Sequence, residues 1–148
     1  MKTNPSEITL LLLLPMACDA PPMNIPDDYL YARTHEWLRL NGHVATVGLT
    51  HFIRDVLGYI THVDLAPIGT RIRQGDIVGL LEAEKAVTDI FSPISGEIIQ
   101  INPFLENEPG KIHASPYDDG WLFRVRVSVV PFGLLTSIEY QASLTGRA

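Results

Sequence analysis

The feature that most limits the fold of this chain is a series of short apolar strands separated by glycine and proline turns. The first pair is the clearest, because residues 35–40 alternate in polarity, Asn41-Gly42 follows, and residues 43–48 alternate again. An Asn-Gly pair favours a tight hairpin turn, since it tolerates the positive φ that such turns require. Many short strands joined by turns of this kind predict a mainly β sandwich or barrel.

Two helices are expected among the strands. The first covers residues 50–57, with Thr50 as N-cap and Gly58 closing the helix at the C′ position. Its expected apolar face consists of Phe52, Ile53, Val56 and Leu57. The second covers residues 134–144, where Leu135, Ile138 and Ala142 have helical spacing. Further strands are predicted at residues 59–65, 77–82, 86–91, 97–102 and 121–130, with a loop-rich stretch at 103–120.

Length and composition narrow the functional classes. A chain of 148 residues predicts one domain. Its net charge of −6 argues against nucleic acid, which selects for basic surfaces. The single cysteine, Cys18, excludes an internal disulfide framework, and the five histidines have no ligand-like spacing, so no metal site is expected. The sequence contains no recognisable nucleophile–base pair, which makes an independent enzyme the least favoured class.

Residues 1–22 differ from the rest of the chain. The apolar run at residues 8–14 is too short to cross a bilayer as a helix, which needs about 20 residues. An export signal, a disordered tail and a start codon assigned too far upstream are three interpretations, and we favour the third because the targeting pattern is incomplete. The expected domain therefore covers residues 23–148, beginning at Met23, and its expected location is the cytoplasm, without membrane attachment.

The segment from Gly79 to Gly96 contains the strongest functional signal. Two apolar strands meet at a short polar tip, and Lys85 lies on this tip. A lysine in a turn is usually only a solvated charge. A hairpin tip, however, exposes the amine while keeping its backbone fixed, and a rigid display lowers the entropic cost of docking to an enzyme that acylates it.

This segment resembles the lipoylation site of the glycine cleavage H-protein family, in which Glu82 and Gly96 match the positions of the modification motif. The resemblance extends from Ile25 to Leu144. Its other landmarks include Thr34-His-Glu-Trp37, Val47-Gly-Leu-Thr50, Ser92-Pro-Ile-Ser-Gly-Glu97 and Gly120-Trp-Leu122. No single landmark is decisive, but their order and spacing are highly specific for the family.

The resemblance implies a lipoyl-domain-like barrel-sandwich fold and a lipoate joined to Lys85 by an amide bond. It also implies that Thr34, Glu36 and Asp89 form a pocket that shelters the aminomethyl-bearing arm. The implied role is that of a carrier without catalytic residues of its own. Its implied partners are glycine decarboxylase, aminomethyltransferase, dihydrolipoamide dehydrogenase, and a lipoate-protein ligase or lipoyl transferase that attaches the cofactor.

Some positions depart from the family pattern, and they keep alternatives open. Tyr59 and His51 replace residues that are commonly acidic, Glu84 precedes the lysine, and the loop 108–113 is atypical. These surfaces can face partner enzymes. One alternative is therefore an H-like lipoate-binding protein that carries sulfur intermediates for a heterodisulfide-reductase-like complex. Another is an unmodified scaffold module.

Overall fold

The computed structural model describes residues 25–144, which form two antiparallel sheets and four short helices. In chain order the elements are β1 (Leu30–Tyr31), β2 (Glu36–Asn41), β3 (Val44–Leu49), α1 (His51–Leu57), β4 (Ile60–Leu65), β5 (Arg71–Ile72), β6 (Ile77–Ala83), β7 (Val87–Phe91), β8 (Ser95–Ile101), α2 (Phe104–Asn107), α3 (Gly110–Ala114), β9 (Phe123–Val129) and α4 (Ser137–Leu144). The expectation of a mainly β fold, with a helix after the first hairpin and a C-terminal helix, is confirmed.

The larger sheet has the strand order β1-β2-β3-β9-β8-β5, and the smaller one has the order β4-β6-β7. Both sheets contribute buried side chains to one core, for example Val47 and Phe123 from the larger sheet and Leu81 and Ile90 from the smaller. A second, aromatic cluster consists of Tyr29, Tyr31, Trp37, Leu135 and Tyr140. Successive residues of a strand point to opposite faces, so β2 supplies Leu38 to the first core and Trp37 to the second.

The first hairpin forms as predicted, with Asn41 opposite Val44 and Gly42 at φ 65°. Along this hairpin Trp37 lies directly opposite Gly48. A Cβ at Gly48 would come within 2.4 Å of the Trp37 ring, so the indole needs a glycine there. Trp37 is buried, and its indole N–H donates to the carbonyl of Pro116 at 2.9 Å, so its one polar group is paired.

Helix α1 differs in detail from the prediction. The side chain of Thr50 does not cap it and instead bonds to Tyr140. The side chain of Val56 is 46% exposed, so it does not belong to the buried face, although Ile53 and Leu57 pack against the core. The closing role of Gly58 is confirmed: its φ is 84° and its N–H donates to the carbonyl of Arg54 at 3.0 Å.

The C-terminal region corrects the helical face drawn from the sequence. Helix α4 begins at Ser137, so Leu135 precedes it, and Ile138 is 78% exposed. The buried helical residues are Ser137 and Tyr140. The stretch predicted as loop-rich contains α2 and α3.

Among residues 25–144 no helix is long and apolar enough to cross a membrane. The expectations for residues 1–22, including the choice between Met1 and Met23 as the start, lie outside the described residues.

Candidate functional site

Lys85 lies at the exposed tip of the hairpin formed by β6 and β7. The last ladder pair joins Glu82 to Val87, and the N–H of Ala83 donates to the carbonyl of Ala86 at 3.0 Å to close the turn. The Lys85 side chain makes no hydrogen bond or ion pair with the rest of the described chain. Its amine is therefore available to solvent and to an approaching enzyme.

The backbone of the tip is held against the end of α1 by three hydrogen bonds. The N–H of Lys85 donates to the carbonyl of Leu57 at 3.1 Å, and that of Glu84 donates to the carbonyl of Tyr59 at 2.9 Å. The Glu84 carboxylate in turn accepts the Tyr59 N–H at 2.9 Å. Gly58 leaves room for this carboxylate, since a Cβ there would lie 2.6 Å from Glu84 Oε1. The tip thus combines a fixed backbone with a free lysine side chain.

The two predicted motif residues occupy different places. Glu82 is exposed on β6, three residues before Lys85 and at the tip end of the hairpin. Gly96 lies in β8, beyond the far end of β7, where a Cβ would come 2.1 Å from the carbonyl oxygen of Arg126. Gly96 therefore permits the close approach of β8 and β9, and it lies away from the turn that contains Lys85.

The three predicted pocket residues line one cavity of about 300 Å³ at the free edge of β7. The turn before β2 supplies Thr34, the first residue of β2 is Glu36, and β7 supplies Asp89. The remaining lining residues are Arg33, His35, Leu49, Ile53, Thr88, Ile90 and Phe91. The cavity thus joins polar groups to an apolar wall, a combination typical of sites that bind small organic groups.

Glu36 is the buried acid of this cavity, with 1% of its surface exposed. Its Oε1 accepts a short hydrogen bond from Thr34 Oγ1, and its Oε2 accepts the backbone N–H of Phe91 at 3.1 Å. Burial raises the pKa of Glu36 to about 7, and the two hydrogen bonds offset only part of that rise. A cation that enters the cavity stabilises the ionised form of this carboxyl and therefore lowers its pKa.

Asp89 and Thr34 are exposed, so they lie at the mouth of the cavity rather than on its floor. Asp89 follows Lys85 by four residues, on the strand β7 that leads away from the tip. The lysine lies at the tip of the β6–β7 hairpin, and the cavity lies along β7, the strand that follows the tip. In the described part of the chain no group of three His, Cys, Asp or Glu side chains is arranged to hold a metal ion.

The sequence did not reveal the contacts that hold the turn between Thr34 and Glu36 in place. His35, between the two predicted pocket residues, has φ 78°, and its Nδ1 lies 2.7 Å from the hydroxyl of Tyr140 on α4. The same hydroxyl lies 2.6 Å from Thr50 Oγ1. A bond between residues 105 positions apart leaves no local pattern, so only the folded chain shows this connection.

The chain is similar to proteins of one known family. The family model for the glycine cleavage H-protein matches residues 29–144. The glycine cleavage system H protein of Rubrobacter xylanophilus is 44% identical over 120 residues, covering 81% of this chain and 94% of the relative. That of Nitratidesulfovibrio vulgaris strain Miyazaki F is 40% identical over 126 residues, covering 85% and 99%.

A solved structure shows the same architecture. The crystal structure of a glycine cleavage system H protein from Mycobacterium marinum superposes with a TM-score of 0.75 at 33% identity, covering 82% of this chain and 99% of that one. The two-sheet arrangement is thus the expected lipoyl-domain-like barrel-sandwich fold. The matched lengths, the identities and the shared fold together establish that this chain belongs to the glycine cleavage H-protein family.

Proposed function

We propose that this protein is the lipoyl carrier of a glycine cleavage system, with the lipoyl group on Lys85 and with Thr34, Glu36 and Asp89 as the shelter for its loaded end. The observation that carries the proposal is the pairing of an exposed lysine on a fixed hairpin tip with a buried carboxyl in a cavity along β7, the strand that follows this tip. When bound, lipoate supplies a dithiolane that accepts an aminomethyl group as it is reduced and passes it on.

The chain's own residues present and orient the cofactor. The three hydrogen bonds that hold the tip keep the Lys85 backbone in one place, so a modifying enzyme meets a preorganised target. Acylation of the amine removes its positive charge. The side chain can then lie along β7 beside Val87, which is 61% exposed, without the desolvation cost of a buried ammonium ion.

Within the cavity, Glu36 meets the cationic amine. An amine that enters next to Glu36 and Asp89 forms charge-assisted hydrogen bonds with the carboxylates. Thr34 and the Phe91 N–H already orient the Glu36 oxygens, so little reorganisation is needed. Leu49 and Ile53 line the same cavity and exclude water, which would otherwise release the group.

The partners follow from the same assignment. The proposed partners are glycine decarboxylase, aminomethyltransferase and dihydrolipoamide dehydrogenase, together with the ligase or transferase that attaches lipoate, and the proposed location is the cytoplasm. The compared relatives are named for glycine cleavage. The sulfur-carrying and scaffold alternatives are therefore not needed to account for the chain.

Mass spectrometry of the protein from its native host tests the modification directly. A lipoyl group on the peptide that contains Lys85 is the expected result. An unmodified Lys85, in cells whose other lipoyl proteins are modified, would contradict the carrier assignment.

The variant Lys85→Arg tests whether the tip displays the lysine without using it structurally. We expect complete loss of lipoylation and of glycine–bicarbonate exchange with purified decarboxylase. We also expect an unchanged melting temperature, because exposed side chains without partners contribute little to stability. A large drop in melting temperature would contradict the exposed-tip interpretation.

The variant Glu36→Gln tests the shelter. We expect the aminomethyl group to leave the loaded protein faster, because the amide cannot neutralise the amine. The matched control is Glu108→Gln, which removes an exposed carboxylate outside the cavity. Equal release rates from wild type and Glu36→Gln would refute the shelter while leaving Lys85 as the attachment site.

A further inference from the structure

The hydroxyl of Tyr140 is a buried junction between the C-terminal helix and the turn before β2. Tyr140 has no exposed surface, and its ring stacks on that of Tyr31 with centroids 5.0 Å apart. Its hydroxyl lies 2.7 Å from His35 Nδ1 and 2.6 Å from Thr50 Oγ1. One oxygen therefore joins α4, the turn at His35 and the residue that precedes α1.

The turn at His35 has a conformation that needs such support. Among residues 25–144, His35 is the only non-glycine residue with a positive φ. Its N–H donates to the carbonyl of Ala32, its carbonyl accepts the N–H of Thr50, and its ring stacks on Phe52 at 4.3 Å. Non-glycine residues persist in this region of φ and ψ only when their surroundings hold them there, and they are often found at functional sites.

The same turn places two residues of the cavity. His35 lies between Thr34 and Glu36, so the direction of the chain at His35 decides where the Thr34 hydroxyl and the Glu36 carboxyl point.

Helix α4 is anchored independently of the bond between Tyr140 and His35. Tyr31 and Leu135 exchange two backbone hydrogen bonds, at 2.9 and 2.7 Å, just before the helix begins.

We propose that Tyr140 is a positioning residue for the carboxylate cavity: its hydroxyl holds the His35 turn so that Thr34 and Glu36 keep their places in the shelter. The role in sheltering rests on the proposed carrier function, whereas the positioning itself is a property of the unmodified protein. The C-terminal helix thereby becomes part of the shelter, although the lining residues of the cavity come from other elements.

The loss of the Tyr140 hydroxyl is expected to disturb the turn because two other polar groups use this oxygen as their hydrogen-bond partner. Without the hydroxyl, His35 Nδ1 and Thr50 Oγ1 both lose the partner that the structure gives them. A buried polar group without a partner is costly, so the turn relaxes until these groups reach water or each other. That relaxation moves the adjacent Thr34 and Glu36 and opens the cavity to solvent.

The test compares Tyr140→Phe with Tyr31→Phe in the full-length protein. Tyr31 is a matched control because it is fully buried and stacks on Tyr140, but its hydroxyl donates to the carbonyl of Pro26 and not to the turn. Both variants remove one buried hydroxyl from the same cluster. A general loss of stability therefore affects both, and an effect on the cavity affects only Tyr140→Phe.

The first readout is the titration of the Glu36 carboxyl by NMR, in protein that carries no lipoyl group. The groups that face Glu36 are Thr34, the Phe91 N–H and, in the same cavity, Arg33, His35 and Asp89, all of which both variants keep. Tyr140 is also close enough to interact with the Glu36 charge, but burial raises the pKa of its hydroxyl, which therefore stays neutral while Glu36 titrates. We expect the pKa of Glu36 to fall toward its ordinary value in Tyr140→Phe, because the carboxyl becomes hydrated. We expect no change in Tyr31→Phe.

The second readout is the rate of aminomethyl release from loaded protein, which we expect to rise about fivefold in Tyr140→Phe, as for one lost hydrogen bond. An unchanged Glu36 pKa in Tyr140→Phe, or equal shifts in both variants, would overturn the positioning role. If Glu36→Gln leaves the release rate unchanged, the shelter fails. The Glu36 titration still decides the role of Tyr140 in that case.

Discussion

At the scale of single residues, Glu36 combines features that a surface carboxylate does not have. It is almost fully buried, it accepts hydrogen bonds from Thr34 and from the Phe91 N–H, and burial raises its pKa to about 7. A carboxyl of this kind is poised to change its charge when a cation arrives. The same burial makes the ionised form of Glu36 destabilise the folded protein when the cavity is empty and the pH is above about 7.

The stability of the protein should therefore depend on pH through Glu36. Above the ordinary pKa of 4.5 the unfolded chain loses this proton, while the folded protein keeps it up to about pH 7. Stability contributed by this group is thus lost as the pH rises from 4.5 to 7, by up to roughly 3 kcal/mol. Urea unfolding at about pH 5 and about pH 8 should show this loss in wild type and not in Glu36→Gln. Parallel pH dependences in the two proteins would argue against the raised pKa.

At the scale of elements, the junction of α1 with the β6–β7 hairpin decides how Lys85 is displayed. The C-terminal end of α1 offers the carbonyl of Leu57, and the backbone of Tyr59 offers both a carbonyl and an N–H. Gly58 makes this junction possible, since it has φ 84° and leaves space for the Glu84 side chain. The glycine therefore serves the helix end and the hairpin tip together.

The variant Gly58→Ala should loosen the tip. A Cβ would meet Glu84 Oε1 at 2.6 Å, so the carboxylate must move and release the Tyr59 N–H. We expect a destabilisation of about 1–2 kcal/mol and faster hydrogen exchange at the Lys85 N–H. The control is Gly42→Ala, at φ 65° with no atom within 4 Å of the added Cβ. It should carry a similar backbone cost without affecting exchange at the tip. Equal exchange rates at Lys85 in both variants would show that the Gly58 contact does not hold the tip.

At the scale of the whole molecule, residues 25–144 are built around two apolar clusters that share strand β2. The larger cluster lies between the sheets, and the smaller aromatic cluster joins β1 and β2 to α4. Trp37 and Leu38, adjacent in sequence, belong to different clusters. Glu36, one residue before Trp37, lines the carboxylate cavity, so the packing of β2 in both clusters helps to fix the geometry of the proposed shelter.

We propose that residues 23–148 belong to one folding domain, and a chain that begins at Met23 should test this. Both clusters are assembled from residues 25–144, so we expect the shortened and full-length proteins to have the same melting temperature. We also expect equal lipoylation of Lys85 in the two proteins. A markedly lower melting temperature for the shortened protein would show that residues 1–22 contribute to the fold.

Much of this molecule follows from local patterns in its sequence. Alternating polarity and the Asn41-Gly42 turn predict the first hairpin, because strand faces and turn conformations are set by neighbouring residues. The motif around Lys85 predicts an exposed lysine on a hairpin tip for the same reason. Resemblance to known sequences added Thr34, Glu36 and Asp89, and the structure places them around one cavity.

Only the tertiary structure decides which side of an element is buried and which distant groups meet. Val56 and Ile138 have helical spacing yet are exposed, since a helix buries the face that its neighbours cover and not the face that looks most apolar in isolation. The Thr50 hydroxyl does not cap α1 and instead meets the hydroxyl of Tyr140, 90 residues further along the chain. Burial of Glu36, and with it the raised pKa, depends on β7 and on the turn at His35 packing around the carboxyl.

The sequence by itself determined the strands, the turns and the lysine tip through local conformational preference. Long-range packing alone determined the cavity and its electrostatics, because desolvation depends on every group that surrounds a charge.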